Sequence, residues 1–246
     1  MSTTLERINK FVATSDGRDK ILRWINYAAL FLTRDGSPKL VSSLLKLVEQ
    51  ISTTRLLLRG FGDIPMWMAV KNHIGSKEAK NIIHKIDFST LMLYAFYFPV
   101  EHIYWLKSLN FIPGPTDRWK TACIVIWVCA ISTSIARTLC ALLPDCTAWP
   151  FVKNDKSVEV DTRDDGDQLS SDRVSRSERR NLNEQLALLL HCCELAIAVN
   201  FLPNGWLWAG KLPLWKVGGY GLISTTLMVI NSYTKCCATL KNKQFN

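Results

Sequence analysis

The 246-residue sequence lacks the short motifs that mark most enzymes. It has no P-loop, no G-x-G-x-x-G after a strand, no H-E-x-x-H and no G-x-S-x-G. Its four histidines have no metal-like spacing, and none of its 8 cysteines forms a C-x-x-C motif. We therefore predict a protein that is not an enzyme and that uses no cofactor and no metal.

A secretory signal is also missing. Residues 1–20 contain neither an apolar run nor a small-residue cleavage site. This predicts synthesis in the cytosol, where disulfides are scarce, so we expect the cysteines to be reduced.

Acidic residues are too few to balance the basic ones. The chain holds 30 Lys and Arg against 21 Asp and Glu, a formal net charge of +9. Such an excess favours an anionic partner, either nucleic acid or an anionic lipid surface. No zinc finger or RNA-binding motif occurs, and the basic residues alternate with apolar helical positions. The arrangement predicts anionic membrane lipids as the partner and no nucleic acid.

Residues 1–87 read as a basic region of amphipathic helices. Apolar positions at helical spacing predict one helix over Arg18 to Arg34 and a second that Ser37 caps and Pro38 begins. After a break at residues 60–62, Asp63 starts a third amphipathic stretch, interrupted at Gly75. We predict that its apolar residues enter the membrane, namely Met66, Trp67, Val70, Ile74, Ile82, Ile83 and Ile86. We predict that its lysines meet lipid headgroups, namely Lys71, Lys77, Lys80 and Lys85. The alternative is an ordinary helix with a core-facing side and a solvated charged side.

Long apolar segments follow. Thr121 to Leu143 carries a single charge, Arg137, and is long enough to cross a bilayer. Val217 to Tyr233 is uncharged and just long enough to span. Phe88 to Leu106 and Leu186 to Leu202 have similar lengths, and either span or lie half-buried against the others. We assign residues 88–143 to membrane helices, 144–183 to a flexible charged loop, and 184–246 to C-terminal membrane helices with a short basic tail. The predicted fold is an all-α integral membrane protein with N-terminal amphipathic helices and two to four membrane-spanning helices.

Three acidic or basic residues other than histidine lie within these apolar segments, where each charge is costly in lipid: Glu101, Arg137 and Glu194. We expect Arg137 to pair with Glu194 or Glu101, either to lock the helices together or to line a solute path. Small residues on the last apolar helix predict close helix packing, at Gly218, Gly221 and Ser224.

Several of these segments, in order, resemble the peroxisomal membrane protein 11 (peroxin-11) family. Residues 18–27, RDKILRWINY, are similar to its R-[DE]-K-x-x-R-x-x-Q-Y helix, with Asn26 in place of Gln. Residues 52–59, STTRLLLR, are similar to its S-x-x-R-K-x-x-R segment, with Leu56 in place of Lys. Residues 99–106 resemble its acidic-then-Trp segment, and 183–199 and 216–233 its two C-terminal helices. The motif residues that carry the resemblance are Arg18, Asp19, Lys20, Arg23, Tyr27, Arg55 and Arg59.

The resemblance implies a multi-pass protein of the peroxisomal membrane with both termini in the cytosol, which associates with itself. It implies that an N-terminal amphipathic helix, here the region from about Ile64 to Ile86, inserts into the bilayer and bends it. Pro65, Gly75 and the Gly60-Phe61-Gly62 stretch depart from the family pattern and suit a divergent branch.

Three functions follow as hypotheses. The first is promotion of peroxisome elongation, proliferation and fission by helix insertion and self-association. The second is a pore or carrier for small metabolites, built on the polar residues of the apolar segments, His102 and His191 included. The third is a scaffold whose charged loop recruits the organelle fission machinery.

Overall fold

The structure, a computed structural model, describes residues 4–60, 62–75, 82–143 and 166–244. These residues form α-helices and connecting turns, with no strand among them, as predicted. The helices are α1 (Thr4–Ala13), α2 (Ser15–Leu32), α3 (Pro38–Arg59), α4 (Asp63–Gly75), α5 (Ile82–Ser108), α6 (Asp117–Leu142), α7 (Gly166–Asn200) and α8 (Leu214–Gln244).

The starts of α2 and α3 follow from their capping residues. Thr14 caps α2, where its hydroxyl accepts a hydrogen bond from the Gly17 amide at 3.0 Å. Ser37 caps α3 in the same way, and Pro38 occupies the first turn, where its missing N–H costs nothing. The predicted start of α3 is therefore confirmed. Helix α1, which the sequence reading did not predict, precedes them and packs on α2 and α8.

The third amphipathic stretch is divided in two. Helix α4 begins at Asp63 and ends at Gly75, so both the predicted start and the interruption are confirmed. Ile82, Ile83 and Ile86 form the first turns of α5, which continues through Pro99 to Ser108. Lys77 and Lys80 lie outside the described residues.

Two helices in the described part of the chain are long and apolar enough to cross a membrane: α6, and the part of α7 from Asn181 to Asn200. The predicted span over Thr121 to Leu143 coincides with α6. In each helix only about a quarter of the most apolar stretch is buried inside the protein, 22% and 28%. The remaining positions of these stretches are at least partly accessible, so each helix has surface available for lipid.

Six helices form a ring. Helix α3 packs on α2, α2 on α8, α8 on α7, α7 on α6, and α6 on α5. An ion pair between Arg59 on α3 and Glu101 on α5 joins the two ends of this series. Helix α4 packs on the flank of α5. The basic N-terminal helices α2 and α3 thus belong to the same bundle as the apolar helices.

The contact between α2 and α8 depends on glycines. A Cβ atom at Gly218 would lie 2.3 Å from the backbone nitrogen of Phe31, and one at Gly221 would lie 2.1 Å from the Tyr27 ring. Ser224, one turn further on, is fully buried, and its hydroxyl donates to the Gly221 carbonyl at 3.1 Å. The small residues expected to allow close packing therefore lie where α8 meets the basic helix α2.

Candidate functional site

The ring of six helices encloses a cavity of about 330 Å³, which we call the central cavity. Every helix of the ring contributes to its wall. The lining residues are Arg23, Tyr27, Ser52, Arg55, Arg59, Tyr94, Tyr97, Trp127, Ile131, His191, Glu194 and Met228. Four of the seven motif residues, Arg23, Tyr27, Arg55 and Arg59, therefore line the same cavity as Glu194.

The two N-terminal motifs contact each other beside this cavity. The Arg55 guanidinium donates from Nε to one carboxylate oxygen of Asp19 at 2.9 Å, and from an Nη atom to the other at 3.4 Å. The Ser52 hydroxyl donates to the side-chain oxygen of Asn26 at 3.4 Å. Asn26, which departs from the family pattern, thus makes a contact between the motifs. These bonds fix α2 and α3 in one register.

Two further ion pairs join the motif arginines to acids of the apolar helices. Arg23 pairs with Glu194, whose side chain is only 4% exposed. Arg59 donates to Glu101 at 2.8 Å, and the Tyr97 hydroxyl donates to the same oxygen at 2.8 Å. Arg23, Arg55 and Arg59 are therefore each matched by one carboxylate, and the site carries no net charge from these three pairs.

The other motif residues lie away from the cavity. Arg18 is exposed, and Lys20 pairs with Asp16 one turn earlier on the surface of α2.

Tyr27, which lines the central cavity, is buried, and burial raises the pKa of its phenol. That phenol is therefore neutral at physiological pH and places its ring against Gly221.

The expected partners of Arg137 were wrong. One Nη atom of Arg137 donates to both oxygens of Glu184, at 2.9 and 2.8 Å, and Nε lies 3.6 Å from Asp87. The physical reason is the antiparallel packing of α6 and α7, which sets the C-terminal end of α6 beside the start of the apolar part of α7. Glu194 and Glu101 instead form ion pairs with Arg23 on α2 and Arg59 on α3.

A second cavity of about 340 Å³, which we call the lateral cavity, adjoins the first. The two share Ser52, Tyr97 and Trp127 in their walls. Glu101 lines the lateral cavity, which extends to Lys120 near the start of α6. His102 and Arg137, proposed from sequence for a solute path, line neither. His102 instead pairs with Asp63 at 3.3 Å.

Some atoms in the central site lack a partner. Within the described part of the chain, Nε of Arg23, Nε of Arg59 and Oε1 of Glu194 are buried without a hydrogen bond. Unsatisfied buried polar atoms are costly, and those of an ionised group more so.

A second feature is the outer face of α4. Its exposed apolar side chains are Ile64, Trp67, Met68 and Ile74. Lys71 is exposed on the same face, because it lies one turn from Trp67, Met68 and Ile74. Of the other residues predicted to insert into the membrane, Met66, Ile83 and Ile86 are half-buried. Ile82 is exposed, and Val70 is only 5% exposed.

Helix α4 lies antiparallel to α5. Its first residue, Asp63, contacts His102 near the end of α5, and His73 near its end stacks on His84 at the start of α5, with ring centroids 3.9 Å apart. The docked face of α4 includes Val70. Lys85, on α5, is exposed.

Sequence reasoning missed several residues of the site. Tyr94, Tyr97 and Trp127 fit the apolar pattern of a membrane helix, and Glu184 and Asp87 lie just outside the predicted apolar segments. Ser52 was visible as the first residue of the second motif, and its position two turns before Arg59 could have placed it on the arginine face.

Comparison with known proteins shows which family the chain belongs to. Residues 5–232 match the family model described as Peroxisomal biogenesis factor 11 (PEX11). The chain is 27% identical over 218 residues to Peroxisomal membrane protein 11C of Homo sapiens, covering 86% of this chain and 87% of the human protein. It is 26% identical over 230 residues to Peroxisomal membrane protein 11C of Mus musculus, covering 91% and 92%. No solved structure matches the chain significantly. The chain therefore belongs to the PEX11 family and is a peroxisomal membrane protein of peroxisome biogenesis and proliferation.

Proposed function

We propose that this protein elongates the peroxisomal membrane, ahead of fission, by inserting α4 into one leaflet and by self-association. The observation that carries the proposal is the outer face of α4, where four large apolar side chains are exposed around one lysine. Burying such a face at the acyl boundary is favourable, and Lys71 can reach anionic headgroups from the same helix. Inserting a helix into one leaflet expands that leaflet and favours curvature.

The docking of α4 on α5 sets how insertion proceeds. In the structure α4 runs alongside α5, which itself packs along α6. A helix that lies in the membrane plane must therefore swing away from α5. At one end α4 contacts α5 through the partly exposed pair of Asp63 with His102, and at the other end through the stack of His73 on His84. We propose that anionic lipid competes with these contacts, exposes Val70 and completes the predicted apolar face.

Topology and partners complete the proposal. We place the chain as a multi-pass protein with both termini in the cytosol, so that α4 meets the cytosolic leaflet. Its proposed partners are anionic lipids and further copies of itself. The predicted flexible loop 144–183, which the sequence reading linked to fission machinery, is wrong over residues 166–183, which form the first turns of α7. Residues 144–165 lie outside the described residues.

The helix-insertion proposal is tested with two charges placed on the outer face of α4. Trp67→Glu combined with Ile74→Glu should abolish elongation of peroxisomes in cells that depend on this protein, and should lower binding to anionic vesicles at least several-fold. The reason is the cost of burying two carboxylates at the acyl boundary. Fluorescence microscopy of peroxisome length and vesicle co-sedimentation measure the two effects.

The matched control adds the same two charges elsewhere on α4. Ala69 and Asn72 are exposed, and each lies well around the helix from Trp67 and Ile74. Ala69→Glu with Asn72→Glu should retain most elongation. If both double variants behave alike, net charge rather than the apolar face controls the activity, and the insertion mechanism is wrong.

The joined cavities favour a second candidate, a pathway for small metabolites. Trp127 lines both cavities, and its indole is the largest side chain that they share. Trp127→Ala should therefore raise small-metabolite flux through reconstituted protein several-fold. Trp206→Ala, which removes an indole that is 54% exposed in the α7–α8 loop, should leave flux unchanged. If neither the native chain nor Trp127→Ala conducts small metabolites, the pathway is excluded. That result would not bear on the insertion of α4.

A further inference from the structure

The α7–α8 loop, residues 201–213, is held tightly against the helices that it follows and packs beside. The side-chain oxygen of Asn200, the last residue of α7, accepts a hydrogen bond from the Leu212 amide at 2.9 Å. Leu202 and Ala209 are buried in one cluster with α7, and side chains of α6 pack against that cluster. The loop therefore has a fixed shape set by α6 and α7.

This fixed loop exposes large apolar side chains. They are Phe201, Trp206, Leu207 and Trp208. Leu207 is 69% exposed and Trp206 is 54% exposed, so most of their apolar surface contacts nothing in the described part of the chain. Exposed apolar surface of this kind marks a contact with a protein or a membrane.

The backbone of Leu207 adds a second cost. Its φ is +47°, in the left-handed region that glycine adopts freely and that bulky residues rarely adopt. Strained residues of this kind cluster at binding sites, where the strain is tolerated for a function. A leucine that is both strained and exposed contributes little to the fold, so its contact is to be sought outside the chain.

The position of the loop indicates which contact this is. The loop begins at the end of the apolar part of α7, and the Trp208 indole donates to the Ala196 carbonyl, one turn before that end, at 3.1 Å. The α6 side chains that pack against its buried cluster, between residues 124 and 128, lie within the membrane-crossing stretch of α6. The loop thus folds back beside the two apolar helices, at the edge of a bilayer, where tryptophan is enriched.

The charges of the loop suit lipid headgroups. Residues 201–216 contain two lysines, Lys211 and Lys216, and no acidic residue, and both lysines are exposed. Arg34, from the turn between α2 and α3, lies over the Trp215 ring at 4.9 Å and adds a third cation beside the start of α8. Cations next to an exposed apolar surface match a phospholipid leaflet, which presents phosphates above an acyl boundary.

We propose that the α7–α8 loop inserts into one phospholipid leaflet, with Trp206 and Leu207 at the acyl boundary and Lys211 at the phosphates. With α6 and α7 as the two spans and both termini in the cytosol, this is the cytosolic leaflet, which α4 is also proposed to enter. The loop leaves no docked position on insertion, so it inserts without a conformational change. Its insertion does not depend on that of α4.

The experiment uses the full chain, labelled with 5-fluorotryptophan, in nanodiscs that contain anionic phospholipid. Trp206→Phe identifies the fluorine resonance of Trp206 by its loss. A spin label attached to lipid near the headgroup should broaden this resonance more than a water-soluble gadolinium chelate does. Greater broadening by the chelate would place the loop in water, and broadening by neither would place it against protein. Either of these two results would overturn the proposal.

Leu207→Gly separates lipid contact from folding. Glycine relieves the backbone strain, so the melting temperature in detergent should not fall. Loss of the side chain removes an anchor, so the lipid-borne label should broaden Trp206 less, and the chelate more, than in the native chain. Leu207→Met keeps both the strain and an apolar side chain, and should behave as the native chain does. If Leu207→Gly leaves the broadening of Trp206 unchanged, Leu207 does not contact lipid and the proposal is wrong.

A last variant tests the loop separately from α4. Trp67→Glu with Ile74→Glu, designed to stop the insertion of α4, should leave the broadening of Trp206 by the lipid-borne label unchanged. Loss of that broadening in this variant would show that the loop enters lipid only together with α4, and would contradict independent insertion.

Discussion

Glu194→Ala is expected to destabilise the folded bundle by about 3–5 kcal/mol, the largest loss expected for a single side chain here. Glu194 is buried on α7 and pairs with Arg23, which belongs to α2. Removing the carboxylate leaves a buried guanidinium without its counter-charge, and the cost of that unpaired charge exceeds the worth of the pair itself. We expect α2 to separate from α7 and the central cavity to open.

Thermal denaturation and limited proteolysis of the detergent-solubilised protein measure this loss. The double variant Arg23→Leu with Glu194→Leu should recover much of the stability, because it removes both charges together. Asp35→Asn is the control: Asp35 pairs with Arg34 at 3.8 Å on the surface, where such pairs contribute little. If Glu194→Ala lowers the stability no more than Asp35→Asn does, Arg23 and Glu194 do not form a buried ion pair.

The helices could be predicted well because their signals are local. The end of α6 and most of its length follow from one uninterrupted apolar stretch, and the start of α3 follows from Ser37 and Pro38. The break before α4 follows from two glycines around residue 61. Each of these signals depends on residues within a few positions of each other, so a single sequence contains all the information needed.

The site could be predicted only in part, because its contacts join distant positions. The motif arginines and Glu194 were each identified as unusual, yet nothing local indicates that Arg23 and Glu194 meet across 171 positions of sequence. Arg137 was assigned to the wrong acids for the same reason, since its partner depends on how far α6 and α7 slide past each other. Periodicity likewise cannot tell which side of α4 packs on α5, and it placed Val70 outward.

Gly218→Ala is the second large effect that we expect, at about 1–3 kcal/mol of destabilisation or more. The added Cβ would lie 2.3 Å from the Phe31 backbone nitrogen and 2.8 Å from the Leu30 carbonyl carbon. Both atoms are backbone, so no rotamer change can relieve the clash, and α2 must move away from α8. That movement also loosens the nearby cluster of Tyr27, Leu30, Ile197 and Val217.

The adjacent glycine provides the control for this prediction. A Cβ at Gly219 meets only the Phe31 ring, at 3.6 Å, an ordinary contact distance. Because alanine favours a helix over glycine by up to about 1 kcal/mol, Gly219→Ala should be neutral or stabilising. The same helix propensity applies to Gly218→Ala, so the difference between the two variants isolates the close approach of α2 and α8. Equal melting temperatures for the two would show that α2 does not pack on α8 at this distance, and would remove the basis for a closed ring around the central cavity.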